Sequence, residues 1–231
     1  MNIVPGRAAA TSPRGLRWQQ FVLLVVLTAA LTTLAAGCIL AISAARTFIS
    51  GESLWTRAQK LAVVSLMRYS ESRDEADWVK YEQALVTVDE DRRMRDAADA
   101  PRLERAVAQR HGVAAGNHPQ DVAGAITMYR WFRDTVILRD AIAAWRATDE
   151  EIEQLQQVAL ELRQAVQRGA TQQQVRAQRE RIQQIDDRIT PLVHRFWLTL
   201  GESWRLLVRS LMVLLLLGAT VLVLLVGAVL Q

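Results

Sequence analysis

No charged residue occurs between Trp18 and Ala45, or between Ser210 and Gln231, and all 52 charges fall in the other 181 positions. Two uncharged runs of 28 and 22 residues constrain a chain of 231 residues more than any average does. Phe21 to Ala45, at about 1.5 Å per residue, exceeds the roughly 30 Å hydrocarbon core of a bilayer, and Ser210 to Leu230 is just long enough to cross it. Both are read as transmembrane helices, spanning residues 21–45 and 210–230. Trp18 and Trp204 flank them where amphipathic rings favour the headgroup level. The first run is too long for the apolar stretch of a signal peptide. The Leu34 to Cys38 run departs from a lipoprotein box, so Cys38 is read as a small buried helix residue.

The net charge of +4 divides unevenly. Residues 1–20 carry Arg7, Arg14 and Arg17 and no acid, whereas residues 46–209 hold 25 basic and 24 acidic residues. An arginine tail on the inner side predicts an inside amino terminus, an exported middle section and an inside carboxyl terminus. Arg46, Arg57 and Lys60 oppose this order, although a long loop translocates largely regardless of charge. The picture is a multi-pass protein of a bacterial inner membrane with a periplasmic middle domain. The nearly neutral middle lacks the basic footprint of a nucleic-acid binder. A single cysteine excludes an internal disulfide and a thiolate metal cluster.

The middle section reads as helices throughout. The first span continues into residues 46–72, and Ser72-Arg73-Asp74-Glu75 has the spacing of a capping box before a helix carrying Trp78, Tyr81, Leu85 and Val88 toward Ala98. Pro101 is expected to open a short helix that Gly112 and Gly116 close. Asn117-His118-Pro119 marks a turn and the entry of a long helix carrying Val122, Ile126, Tyr129, Phe132, Val136 and Trp145, with a second capping box at Thr148 to Glu151. Ile152, Leu155, Ala159, Leu162 and Val166 follow heptad spacing. After Gly169-Ala170-Thr171 the pattern resumes through Val175, Gln178, Ile182, Ile185, Ile189, Leu192 and Phe196, with Pro191 as a kink. The fold class is all-α: a membrane-anchored up-down-up-down four-helix bundle, a distal antiparallel hairpin formed by residues 149–190, and two transmembrane helices.

Gly51-Glu52-Ser53-Leu54-Trp55, Ala58-Gln59-Lys60, Arg68-Tyr69, Gly116 to Asp121, and Trp145 followed by Asp149 carry a resemblance. Over residues 18–230 the chain resembles the helical extracytoplasmic sensor region of proteobacterial transmembrane signalling proteins. These include sensor histidine kinases of two-component systems and cyclic-di-GMP enzymes with diguanylate cyclase or phosphodiesterase outputs. The resemblance implies a sensory input module that signals by helix displacement, and it brings no established ligand. It also implies a cytoplasmic signalling domain or subunit as partner, because residues up to Gln231 hold no kinase, cyclase or phosphodiesterase. The other expected partners are the lipid bilayer and a second copy in a homodimer. The alternative is a structural or accessory inner-membrane protein that binds a partner through its bundle.

Several residues are candidates for contact with a ligand. Asn117 and His118 sit at a helix entrance, where free N–H groups favour anions; the competing role is capping. Arg133 and Asp140, seven apart on one expected helix, are candidates for an inward-facing charged pair, against a solvated flank with an Arg130–Asp134 pair. Trp55, Trp78 and Trp145 read as core before aromatic cage. Glu52 with Trp55, and Glu202 with Trp204, form an internal echo outside the two spans. They are expected to couple the two helices, with Glu52 and Glu202 pairing with Arg57, Arg205 or Arg209. His111, His118 and His194 lack metal-ligand spacing, no cofactor motif is present, and no nucleophile or phosphate loop suggests an enzyme.

Overall fold

The computed structural model describes the backbone of residues 13–136 and 138–230, and their side chains outside residues 13–17, 19–20, 40–41, 43–49 and 228–230. The arginine tail and the Arg46 side chain lie outside the described residues. Among the described residues the chain is all-helical: α1 Pro13–Ser72, α2 Glu75–Asp99, α3 Arg105–Ala114, α4 Pro119–Phe132, α5 Arg139–Arg146, α6 Thr148–Gln167 and α7 Gln172–Leu230. They fall into two compact units, residues 1–39 with 208–231, and residues 40–207.

In the first unit both helical segments are long and apolar enough to cross a membrane, with mean hydropathies of 2.4 and 2.7. Their large side chains, among them Val26, Leu216, Leu217 and Val223, are exposed. Polar hydroxyls are handled internally: Thr28, Thr32, Thr33 and Thr220 each donate to the carbonyl four residues earlier. An apolar surface with internally satisfied polar groups suits hydrocarbon as solvent. Gly218 lies under Leu31, where a β-carbon would come within 2.4 Å of Leu31 Cδ2.

The second unit has two main cores. The larger joins Trp55 to Tyr69 of α1, Trp78 to Val88 of α2, Ile152 to Leu162 of α6 and Val175 to Ile189 of α7. Ion pairs fix the facing residues: Lys60 with Asp186 at 2.7 Å, Arg163 with Glu75 at 3.1 Å, Arg92 with Glu153 at 2.6 Å and Arg188 with Glu151 at 2.8 Å. Buried Gln59 also donates to Asp186. Gln178 occupies a half-buried position with its Oε1 unpartnered, as expected of a glutamine in a heptad seam. The α6–α7 turn is tied to the end of α1, where Arg73 donates to the carbonyl of Ala170.

The second core gathers Ala98, Ala108, Val122, Ile126, Tyr129, Leu138, Ile142, Phe196 and Leu200. Here the local expectations need correction. The cap of α2 is Asp74, whose carboxylate accepts from Ala76 N at 2.9 Å; Glu75 instead accepts from Tyr69. α3 starts at Arg105, four residues after Pro101. Thr148 provides no cap, since its hydroxyl donates back to the Trp145 carbonyl. At the next turn a capping box does form: Thr171 Oγ1 accepts from Gln174 N, and Gln174 Oε1 accepts from Thr171 N.

The expected long helix from Pro119 ends at Phe132, and α5 starts only at Arg139. Thr135 Oγ1 donates to the Phe132 carbonyl, competing with the helical ladder, and the β-branched Thr135 and Val136 favour helix weakly. The break lets Leu138 enter the core, where it is fully buried.

Candidate functional site

α2 carries a stripe of buried residues spaced three and four apart: Trp78, Tyr81, Ala84, Val88, Asp91, Arg95 and Ala98. Two charged residues therefore occupy positions that the helix geometry turns inward. Asp91 is 6% exposed and Arg95 2% exposed. They border a cavity of about 60 Å³ between the two cores. α1 contributes Glu52 and Trp55, the turn before α4 contributes Asn117, α4 contributes Val122, Ile126 and Tyr129, and α7 contributes Val193 and Phe196. Trp145 and Thr148 complete the wall. At about 15 Å³ for each water, the space suits about four waters or a ligand of similar size.

The charges are unequally satisfied. Arg95 Nη2 donates to Asp149 at 2.5 Å, and its guanidinium lies 4.9 Å above the Trp145 ring. Its Nε and Nη1 have no hydrogen-bond partner. Asp91 has no hydrogen bond among the described residues. Burial pushes its carboxyl up to about 7, with Arg95 opposing the rise and Asp149 adding to it. Burial also raises Asp149, against the pull of Arg95. Buried groups left without partners disfavour the folded state, and they are common where a ligand is expected to supply the partner.

Asn117 is held for the same space. Its Nδ2 donates to the Gly112 carbonyl at 3.0 Å, which leaves Oδ1 near Gly51 of α1. A β-carbon at residue 51 would lie 3.3 Å from that oxygen, so glycine permits the close approach. Gly116, with φ of 98°, makes the preceding turn that aims Asn117 inward. Glu52 accepts from Thr56 at 2.8 Å.

Of the ligand candidates read from sequence, the cavity brings in Asn117 alone. His118 is exposed and acts as the N-cap of α4, its Nδ1 accepting from Gln120 N at 3.3 Å. Arg133 and Asp140 do not meet, because the break puts them on different elements. Arg133 pairs with Asp99, which also accepts from Tyr129 at 2.8 Å and from Arg146 at 2.6 Å. Asp140 is exposed beside Arg139. Arg130 binds the carbonyls of Ala98 and Ala100 in place of Asp134.

The coupling candidates separate too. Glu52 and Trp55 line the cavity opposite Val193 and Phe196, two to three turns before Glu202 along α7. Trp204 packs with Met128, Phe132 and Leu207, Glu202 is exposed, and neither glutamate forms the expected arginine pair among the described residues. Trp78 packs at a tilt between Tyr69 and Tyr81, whereas Trp55 and Trp145 wall the cavity.

Asp91 and Arg95 were absent from the sequence candidates. Their signal was present: two charged residues continuing the Trp78, Tyr81, Val88 stripe at helical spacing. Among the described residues no cluster of histidine, cysteine or carboxylate side chains could hold a metal ion. No family model matches the chain, and no curated protein or solved structure matches it significantly.

Proposed function

We propose that the chain is the sensory input module of a transmembrane signalling receptor, with the second unit as a periplasmic up-down-up-down four-helix bundle. The observation that carries this reading is the pocket with the buried, unbonded Asp91 carboxyl, walled by residues of both α1 and α7. Those two helices also carry the apolar segments. A ligand that binds one arrangement of α1 and α7 more tightly than another shifts the population toward it, and packed helices switch through displacements of about 1 to 2 Å. The bilayer, a second copy of the chain and a cytoplasmic signalling domain or subunit are the proposed partners. The setting is a bacterial inner membrane, with both termini inside.

The test is a fusion of residues 1–231 to a histidine kinase output in membranes. Asp91→Asn and Trp55→Ala are expected to change autophosphorylation at least severalfold at equal protein level. Output unchanged by both substitutions would sink the sensory reading. A second reading, an accessory protein that binds a partner through its bundle, is favoured by Trp131 and Val136, which are 73% and 75% exposed at and just after the end of α4. Under that reading Trp131→Ala abolishes co-purification of the partner while Asp91→Asn leaves it intact.

A further inference from the structure

Trp131 and Val136, 73% and 75% exposed, are the most exposed large apolar side chains of the second unit among the described residues. Apolar area of that size is unfavourable in water, and its place in the fold says what covers it. Phe132, the neighbour of Trp131, joins Trp204 and Leu207 of α7 in packing on Met128. Thr135 N donates to the Phe132 carbonyl, which keeps Val136 close to the same contact. The uncharged run of α7 begins at Ser210, six residues after Trp204 and three after Leu207. At about 1.5 Å per residue the two contacts lie about 9 and about 5 Å before that run along the helix, and any tilt brings them nearer to hydrocarbon. A headgroup layer is about 5 to 8 Å deep on each side of the core. The end of α4 is therefore held at the height of the headgroups.

Charge at this corner is largely compensated within the protein. Arg133 and Arg139 pair with Asp134 and Asp140, and Arg130 donates to the carbonyls of Ala98 and Ala100. Attraction to a membrane here comes from the apolar side chains, without a demand for anionic lipid.

We propose that the end of α4 is a third membrane contact, in which Trp131 and Val136 insert into the headgroup layer of the bilayer that α1 and α7 cross. The proposal rests on the reading of the two apolar segments as spans. Trp131 suits this depth because its ring is apolar while its indole N–H still finds water or phosphate oxygens. α4 also supplies Val122, Ile126 and Tyr129 to the cavity wall. An end held by lipid steadies the same helix that walls the cavity.

The experiment uses the full chain carrying Cys38→Ala, reconstituted in vesicles of zwitterionic phosphatidylcholine, with one fluorophore on one introduced cysteine. The sites are Val136→Cys, Leu217→Cys in the apolar segment of α7, and Gln173→Cys, an exposed position 37 residues before Ser210. Brominated lipid is expected to quench the label at residue 136 several-fold more than the label at residue 173, and aqueous iodide several-fold less. Adding Trp131→Ser is expected to raise iodide quenching at residue 136; an unchanged value would overturn the insertion of Trp131. Lipid quenching at residue 217 with none at residue 136 would overturn the third contact and leave the spans in place. Loss of lipid quenching at residue 217 as well would overturn the spanning reading on which the proposal rests. Shielding of residue 136 from iodide without lipid quenching would assign its cover to protein, a second copy or another partner, and overturn the proposal. Lipid quenching that appears only after anionic lipid is added would overturn the apolar insertion.

Discussion

Asp91 ties the stability of the second unit to pH, and the sign is fixed by the direction of its shift. Its folded pKa, about 7, lies above the ordinary value of 3.8, so the folded state binds the proton more tightly than the unfolded one. The favourable contribution is complete below about pH 4 and is lost as pH rises toward 7. Asp89 and Asp149, also raised by burial, act in the same sense, while Glu90, lowered by its bond to His111, opposes them. Asp91→Asn isolates the one group. The variant is expected to melt higher than the unaltered protein at pH 8, by up to about 4 kcal/mol in stability, with the gap closing toward pH 4. A melting series that shows no such pH-dependent gap would refute the buried, ionisable carboxyl. Gly112 is a second residue with a sharp expectation. A β-carbon there would come within 2.6 Å of Val122 Cγ1 and 2.8 Å of Met94 Sδ. Gly112→Ala should cost about 1 to 3 kcal/mol by overpacking. Denaturant unfolding would check it against Gly37→Ala, where a β-carbon meets nothing within 4 Å.

At the level of the elements, apolar seams outweigh the many surface ion pairs. Ile182 and Leu162 are fully buried in the seam between α6 and α7, whereas Arg181 and Glu161, which pair beside them, are exposed and half-buried respectively. Ile182→Ala is expected to cost about 2 to 5 kcal/mol, and Glu161→Ala less than about 1 kcal/mol, when both are measured by chemical denaturation. The same contrast explains what was legible in the sequence. The heptads through Ile152, Leu162, Ile182 and Ile189 define α6 and the start of α7, because periodic burial leaves a periodic record. The break after Phe132 was hidden, since Val136 continues the apolar spacing although it is exposed, and Leu138, off that spacing, is the buried residue. Half of the candidate site was hidden for a related reason. Asn117, Glu52 and Trp55 stood out as turn or repeat residues, but Asp91 and Arg95 lie within a charged run, Asp89 to Asp96, where only the stripe from Trp78 reveals that they point inward.

For the molecule as a whole, the two apolar segments set its physical behaviour. Leu31 seated against Gly218 gives the first unit a close helix crossing of the kind small residues permit in lipid. The chain is expected to stay in the membrane pellet after an alkaline carbonate wash, and its release into the supernatant would contradict two spans. Within the second unit, Pro191 of α7 lies between Ile189, the last fully buried α7 residue of the larger core, and Phe196, the first of the other, with Val193 packing against the larger core just beyond it. Proline has no amide hydrogen, so the Asp187 carbonyl lacks its helical donor at the seam between the cores. The two cores consequently need not open together. Hydrogen–deuterium exchange should divide α7 into two blocks, with amides on either side of residue 191 exchanging at separate rates, and that boundary marks where the long helix can yield without either core coming apart.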